Sequence, residues 1–176
     1  MRAVIVVYSR SGRSLRAAEA LAGRTGAPIC RISCARYDGM RGWLRGWRDA
    51  WRGHLPEITI APEIGAADLL ILGGPVWAGR FAPPLRRLMS EAHRLPPVAG
   101  VFVTRLRRGS SLPLEADLET LALAACDPAG DPPLLTLSSR RPLGPQDQAA
   151  LARFVDRLAP LLRRHRVPAV LPGRAA

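Results

Sequence analysis

The chain has 176 residues, 48% of them hydrophobic, and a formal net charge of +12 in which every basic residue other than histidine is arginine. That length buries a full core in one domain without metals or disulfides, and no apolar run approaches the roughly 18 residues of a membrane helix. The charge favours anionic partners, but no arginine cluster is interleaved with aromatics as a single-strand nucleic-acid groove requires, so nucleic acid is not an expected partner.

The absence of lysine and asparagine points to a GC-rich coding sequence rather than a built basic surface. Strand-like residues begin at position 3, which leaves no room for a secretory signal. Cys30 and Cys34 fall on or beside one strand, where four residues span about 13 Å, too far for a bridge. A reduced, cytoplasmic protein is the expectation.

In chain order, the apolar run Ala3-Val4-Ile5-Val6-Val7 is a strand, and Leu15 to Gly23 reads as a helix closed by Gly26. Ala27 to Ser33 is a second strand. Residues 42–53 form the second helix, with Trp43, Trp47 and Trp51 recurring every four residues and Arg45, Arg48 and Arg52 opposite them. On a helical wheel the tryptophans span about 80° and the arginines about 60°. We read the aromatic stripe as the face that covers the sheet. The alternative turns it outward as a partner face, a membrane-surface contact or a flap over a site.

Gly65 to Leu72 is the third strand, Val98 to Val103 the fourth and Leu134 to Leu137 the fifth. Apolar runs without alternation are the mark of strands buried on both faces, as in a parallel sheet. Between them, Pro83 and Pro84 open a helix carrying Leu85, Leu88, Met89 and Ala92 at helical spacing. Pro113 opens another from Leu114 to Ala124, with Glu115, Asp117 and Glu119 near its positive end. The last helix starts at Pro145, and Pro160 should kink or shorten it. A single domain over residues 1–165 follows, with a loose tail over 166–176. Strands alternating with helices indicate an open α/β sandwich.

Two turns carry the chemistry. Tyr8-Ser9-Arg10-Ser11-Gly12-Arg13-Ser14 joins the first strand to the first helix. Strand, hydroxyl- and glycine-bearing turn, then helix is the recipe for a phosphate cradle: backbone N–H groups converge and the helix adds its positive end. The plainer reading is a βα connection whose serines cap a helix. The second turn, Gly73-Gly74-Pro75-Val76-Trp77-Ala78-Gly79-Arg80, follows the third strand. In a sheet of order 2-1-3-4-5 the two would line one crevice at the C-terminal ends of adjacent strands.

Together these turns resemble the flavodoxin family, whose first turn reads (S/T)-x-(S/T)-G-x-(S/T) and whose loop after strand three reads G-x-P-x-(W/Y)-x-G. The resemblance covers nearly the whole chain, including Leu55-Pro56-Glu57-Ile58, and is to short bacterial members. It implies a three-layer sandwich with a five-stranded parallel sheet of order 2-1-3-4-5 and helices on both faces. It also implies FMN as cofactor, with Ser9, Arg10, Ser11, Gly12, Arg13 and Ser14 at the phosphate. Pro75, Val76, Trp77, Ala78 and Gly79 would lie along the ring, with Trp77 stacking. In the third loop, Thr104 to Ser111, Thr104 and Gly109 would complete the site. Two departures stand out: Arg13 where the family often has Asn, and one glycine where it has a Gly-Gly pair after strand four.

Flavin carries its own redox chemistry, so the protein need only bind, orient and tune it. No catalytic side chain stands out, and His54, His93 and His165 read as surface residues. A low-molecular-weight tyrosine phosphatase would need cysteine where Ser9 stands, and a Walker site would need Gly-Lys-(Ser/Thr). The resemblance implies an FMN-dependent oxidoreductase taking electrons from NAD(P)H or a reductase to a small acceptor such as a quinone. The alternatives are an electron carrier with a protein acceptor, or a fold that has lost flavin. Oligomeric state, a homodimer included, stays open.

Overall fold

The structure is a computed structural model that describes residues 2–105, 112–125, 132–138 and 143–164. The tail expected over 166–176 and His165 lie outside them. Five strands form a parallel core: β1 (Ala3–Tyr8), β2 (Ile29–Ser33), β4 (Leu69–Trp77), β6 (Val98–Arg105) and β7 (Leu134–Ser138). Their spatial order is β2-β1-β4-β6-β7, the 2-1-3-4-5 order expected of the five. The apolar runs are strands for the reason proposed, since Ile5, Val6, Leu70, Ile71 and Phe102 are covered on both faces.

Two short antiparallel strands add to this core. β3 (Thr59–Ala61) pairs with β2 at the sheet edge, and β5 (Arg80–Phe81) folds back on β4. At three and two residues they are too short to give a periodic signal.

Helices cover both faces. α1 (Arg13–Thr25) and α5 (Pro145–Arg164) pack on one through Ala17, Ala18, Leu21, Leu151, Phe154 and Leu158. α3 (Pro83–Met89) and α4 (Leu112–Ala125) pack on the other through Leu85, Leu88, Leu114 and Leu121. Gly26 closes α1 with φ 71° as expected. Pro160 does not end α5, which runs on to Arg164 with the proline exposed. Asp117 does more than meet the positive end of its helix. It is buried on α4, accepts the Phe81 N–H at 3.2 Å and meets Arg86 at 3.3 Å, which ties α4 to β5 and α3.

Two sequence readings are overturned. The third strand begins at Leu69, not Gly65, and continues through Gly73, Gly74, Pro75 and Val76 to Trp77. These looked like turn residues, but the glycines serve packing. A Cβ on Gly73 would lie 1.9 Å from the Phe102 ring and one on Gly74 would lie 2.3 Å from Leu85. The turn itself is only Ala78-Gly79, both at positive φ (49° and 77°), the geometry of a tight hairpin.

The second correction concerns α2 (Gly42–Arg52). Its tryptophans do not cover the sheet. Gly42, Gly46, Asp49 and Ala50 face inward, while Trp43, Trp47 and Trp51 are 58%, 49% and 73% exposed. The backbone packs too closely for anything larger: a Cβ on Gly42 would sit 2.0 Å from the Tyr37 carbonyl oxygen.

Candidate functional site

The loop 9–12 and the end of β4 lie side by side because β1 and β4 are neighbours, paired from Ala3 with Leu69 to Val7 with Gly73. Between them is a cavity of about 350 Å³, within the range of small-molecule sites. Ser9, Arg10, Ser11, Arg13 and Ser14 line one side; Pro75, Val76 and Trp77 line another. Thr104 and Arg105 close it from β6, and Trp43 reaches it from α2. No carboxylate is among these lining residues.

At the first turn the chain leaves donors without acceptors. Gly12 is the N-cap of α1 at φ 74°, with no side-chain cap and no acidic residue in the first turn. The leading N–H groups of a helix have no intrahelical acceptors, and a glycine cap offers none. The Ser9 Oγ is buried with no hydrogen-bond partner among the described residues. An unmet buried hydroxyl costs about 1–3 kcal/mol, and beside an uncapped helix start it leaves a set of donors that an anion could satisfy. Ser14 and Thr104, both buried, share a 2.6 Å hydrogen bond. One hydroxyl donates to the other, which leaves the acceptor's own hydrogen to point elsewhere.

Arg10 and Arg13 differ. The Arg10 guanidinium donates to the carbonyls of Tyr37 at 3.0 Å and Gly39 at 2.7 Å, so it braces the loop before α2 while keeping its charge at the rim. Arg13 is exposed at the start of α1.

Trp77 is the fixed wall. Its indole is edge-to-face with both Tyr8 and Tyr37, each at 5.7 Å between centroids, with interplanar angles of 82° and 83°. Behind the ring lies Gly46 of α2, where a Cβ would meet it at 2.5 Å. Burial pushes the hydroxyl pKa values of Tyr8 and Tyr37 upward, so both stay protonated. Tyr37 donates to Asp49 at 3.1 Å, and Arg36 donates to the same carboxylate at 2.7 Å. Burial opposes ionisation of Asp49, but these two hydrogen bonds and the Arg36 charge outweigh it and hold the carboxyl below its ordinary value.

Most of the expected residues therefore meet in one place. Ala78 and Gly79 form the hairpin and are not among the cavity's lining residues, and Gly109 lies outside the described residues. Trp43 and Arg105 also line the cavity: Arg105 belongs to the third loop expected at the site, and Trp43 matches the alternative in which the α2 tryptophans turn outward over a site. The preferred phase of α2, with the tryptophans on the sheet, is what kept Trp43 from being placed there first. Tyr8 and Tyr37, which pin Trp77, gave no signal in the sequence. His54 and His93 are exposed as expected, and Cys30 and Cys34 are buried and free. Among the described residues no helix is long and apolar enough to cross a membrane, and no cluster of ligating side chains could hold a metal.

No family model and no curated protein matches the sequence. Solved structures do match the fold. A flavoprotein from Lactobacillus acidophilus NCFM in complex with FMN superposes with a TM-score of 0.59 at 18% identity, covering 78% of this chain and 91% of that one. A putative flavoprotein from Bacteroides eggerthii DSM 20697 gives 0.64 at 20%, covering 90% and 98%. A WrbA-like flavodoxin from Agrobacterium tumefaciens gives 0.58 at 19%, covering 93% and 98%. Likeness at these identities speaks for architecture, and that architecture, with its parallel order and its cavity at the ends of β1 and β4, is the flavodoxin fold.

Proposed function

We propose that the chain binds FMN in the cavity between the two turns and works in electron transfer, as an oxidoreductase that reduces a small acceptor such as a quinone. The observation that carries this reading is the anion-ready first turn: a buried, unpartnered Ser9 hydroxyl beside the glycine-capped start of α1. The structural neighbours that carry FMN or are named flavoproteins support the same assignment.

The residues fit the group. The N–H groups at the start of α1 and the hydroxyls of Ser9, Ser11 and Ser14 would hold the phosphate, with Thr104 orienting Ser14. Pro75, Val76 and Trp77 would line the ring site. FMN, once bound, supplies the one- and two-electron chemistry. The chain's own part is positional and electrostatic. Tyr8 and Tyr37 hold the Trp77 ring from two edges, and the guanidinium groups at the rim favour negative charge in the cavity.

Titration of the protein with FMN and with riboflavin tests the cradle. FMN is expected to bind at least about tenfold tighter, because riboflavin leaves the helix start and Ser9 unmet. Equal affinities would remove the phosphate site. Oxidation of NADH or NADPH with a soluble quinone then separates an oxidoreductase from a carrier, which would need a protein donor.

A further inference from the structure

The outer face of α2 has no role in the cavity beyond Trp43, yet it holds three of the chain's four tryptophans. Trp47 and Trp51 are 49% and 73% exposed, Leu44 is 61% exposed, and Met40 just ahead of the helix is 98% exposed. Isolated exposed apolar residues are ordinary, but a contiguous aromatic sector on one helix face marks a contact surface.

The charge on the same helix says what kind. Arg41, Arg45, Arg48 and Arg52 are all exposed and fall together beside the aromatic sector. The helix has one acid, Asp49, which is buried, bonded to Arg36 and Tyr37, and 3.9 Å from Arg48. Arg45 donates to the Arg36 carbonyl, so of these four Arg41 and Arg52 are the guanidinium groups with no partner among the described residues. The outward surface is therefore tryptophan and leucine on one flank and arginine on the other, with the third flank seated on the protein. A second copy of the chain fits this poorly. A two-fold contact through the face would bring two strongly cationic helices together with no exposed helix carboxylate to offset them.

We infer that α2 is an interfacial docking helix for an anionic lipid surface. Tryptophan and leucine enter the boundary between headgroups and acyl chains, where the indole N–H stays hydrated and the ring is buried. The arginines meet the lipid phosphates at the same depth. The helix lies along the surface rather than through it. Seated this way, the protein turns the Trp43 edge of the cavity toward the membrane.

The test is sedimentation of the full chain with vesicles of phosphatidylcholine alone and of phosphatidylcholine mixed with phosphatidylglycerol. Binding is expected to the mixed vesicles, with tryptophan emission shifting to shorter wavelength. The double variant Trp47→Ser/Trp51→Ser should bind at least about tenfold more weakly with unchanged circular dichroism and unchanged FMN affinity. Arg41→Gln/Arg52→Gln should also bind more weakly, and added salt should weaken the wild type. No binding to the mixed vesicles at low salt would overturn the inference. So would undiminished binding by the tryptophan variant, since adsorption would then come from net charge alone. A wild-type dimer that becomes a monomer in that variant would give the face to a second copy. Retention on an acidic polypeptide through the same tryptophans, with vesicles ignored, would give it to a protein.

Discussion

Gly46→Ala isolates the contact that fixes the wall of the cavity. Alanine is the better helix former by about 1 kcal/mol, so on local grounds the change stabilises. The tertiary contact opposes it. The new Cβ would lie 2.5, 3.0 and 3.1 Å from Cζ3, Cε3 and Cη2 of Trp77, and the indole is pinned from two edges by Tyr8 and Tyr37. Moving it aside loosens two aromatic contacts worth about 0.5–1.5 kcal/mol each, and overpacking of this kind costs about 1–3 kcal/mol. The net expectation is a loss of about 1 kcal/mol.

Gly23 is the control. It lies in α1, is exposed, and a Cβ there meets nothing within 4 Å, so Gly23→Ala should gain about 1 kcal/mol. The two variants should then differ by about 2 kcal/mol, or about 4–8 °C in Tm for a domain of this size. Thermal melts read the gap directly. FMN titration of the same two proteins should show weaker binding only for Gly46→Ala. If Gly46→Ala is as stabilising as Gly23→Ala, the indole moves freely and Trp77 is not a fixed wall.

Ser9→Ala should leave the protein without FMN as stable or up to about 2 kcal/mol more stable, since an unmet buried hydroxyl is removed, while FMN affinity falls; a melt and a titration of one variant check both signs. Ala78→Gly should raise stability by about 0.5 kcal/mol, because glycine carries no left-handed penalty but loses more chain entropy on folding; a lower Tm would mean the alanine methyl is packed. Asp49 is held below its ordinary pKa, so its contribution to stability is present above the ordinary carboxylate range and is lost as pH falls through its folded value. Asp49→Asn should therefore lower Tm at neutral pH, with the difference from wild type closing in acid; a gap independent of pH would mean that shape, not charge, is what Asp49 supplies.

The parallel core was legible because its strands are buried on both faces, and an apolar run such as Leu69-Leu70-Ile71-Leu72 has no other economical explanation in an alternating chain. What followed it was not legible. Gly73, Gly74 and Pro75 are turn residues by local preference, yet here two glycines are strand because the Phe102 ring and Leu85 occupy the space above them. That information sits about thirty and ten residues away, outside any local pattern. The cavity lining was legible at the first turn, where Ser9, Ser11 and Ser14 fall together as their spacing before a helix suggested. It was less so at Arg10, whose guanidinium is committed to the Tyr37 and Gly39 carbonyls, since nothing local distinguishes a brace from an anion ligand.

The phase of α2 shows the limit most clearly. Its helical wheel has three sectors, aromatic, arginine and small, and periodicity fixes their widths but not which one meets the sheet. Hydrophobic content alone chooses the tryptophans. Close approach decides against them. Tyr8 and Tyr37 are held by β1 and by the segment after β2, and with Trp77 they already fill the volume beneath the helix. A helix laid over that aromatic cluster has room only for Gly42, Gly46 and Ala50, with Asp49 anchoring it through Arg36 and Tyr37. The aromatic mass needed for this part of the core is thus supplied from the sheet and its flanking segment. The tryptophans of α2 are left over for the outside, and a surface that folding does not require is one that binding is free to use.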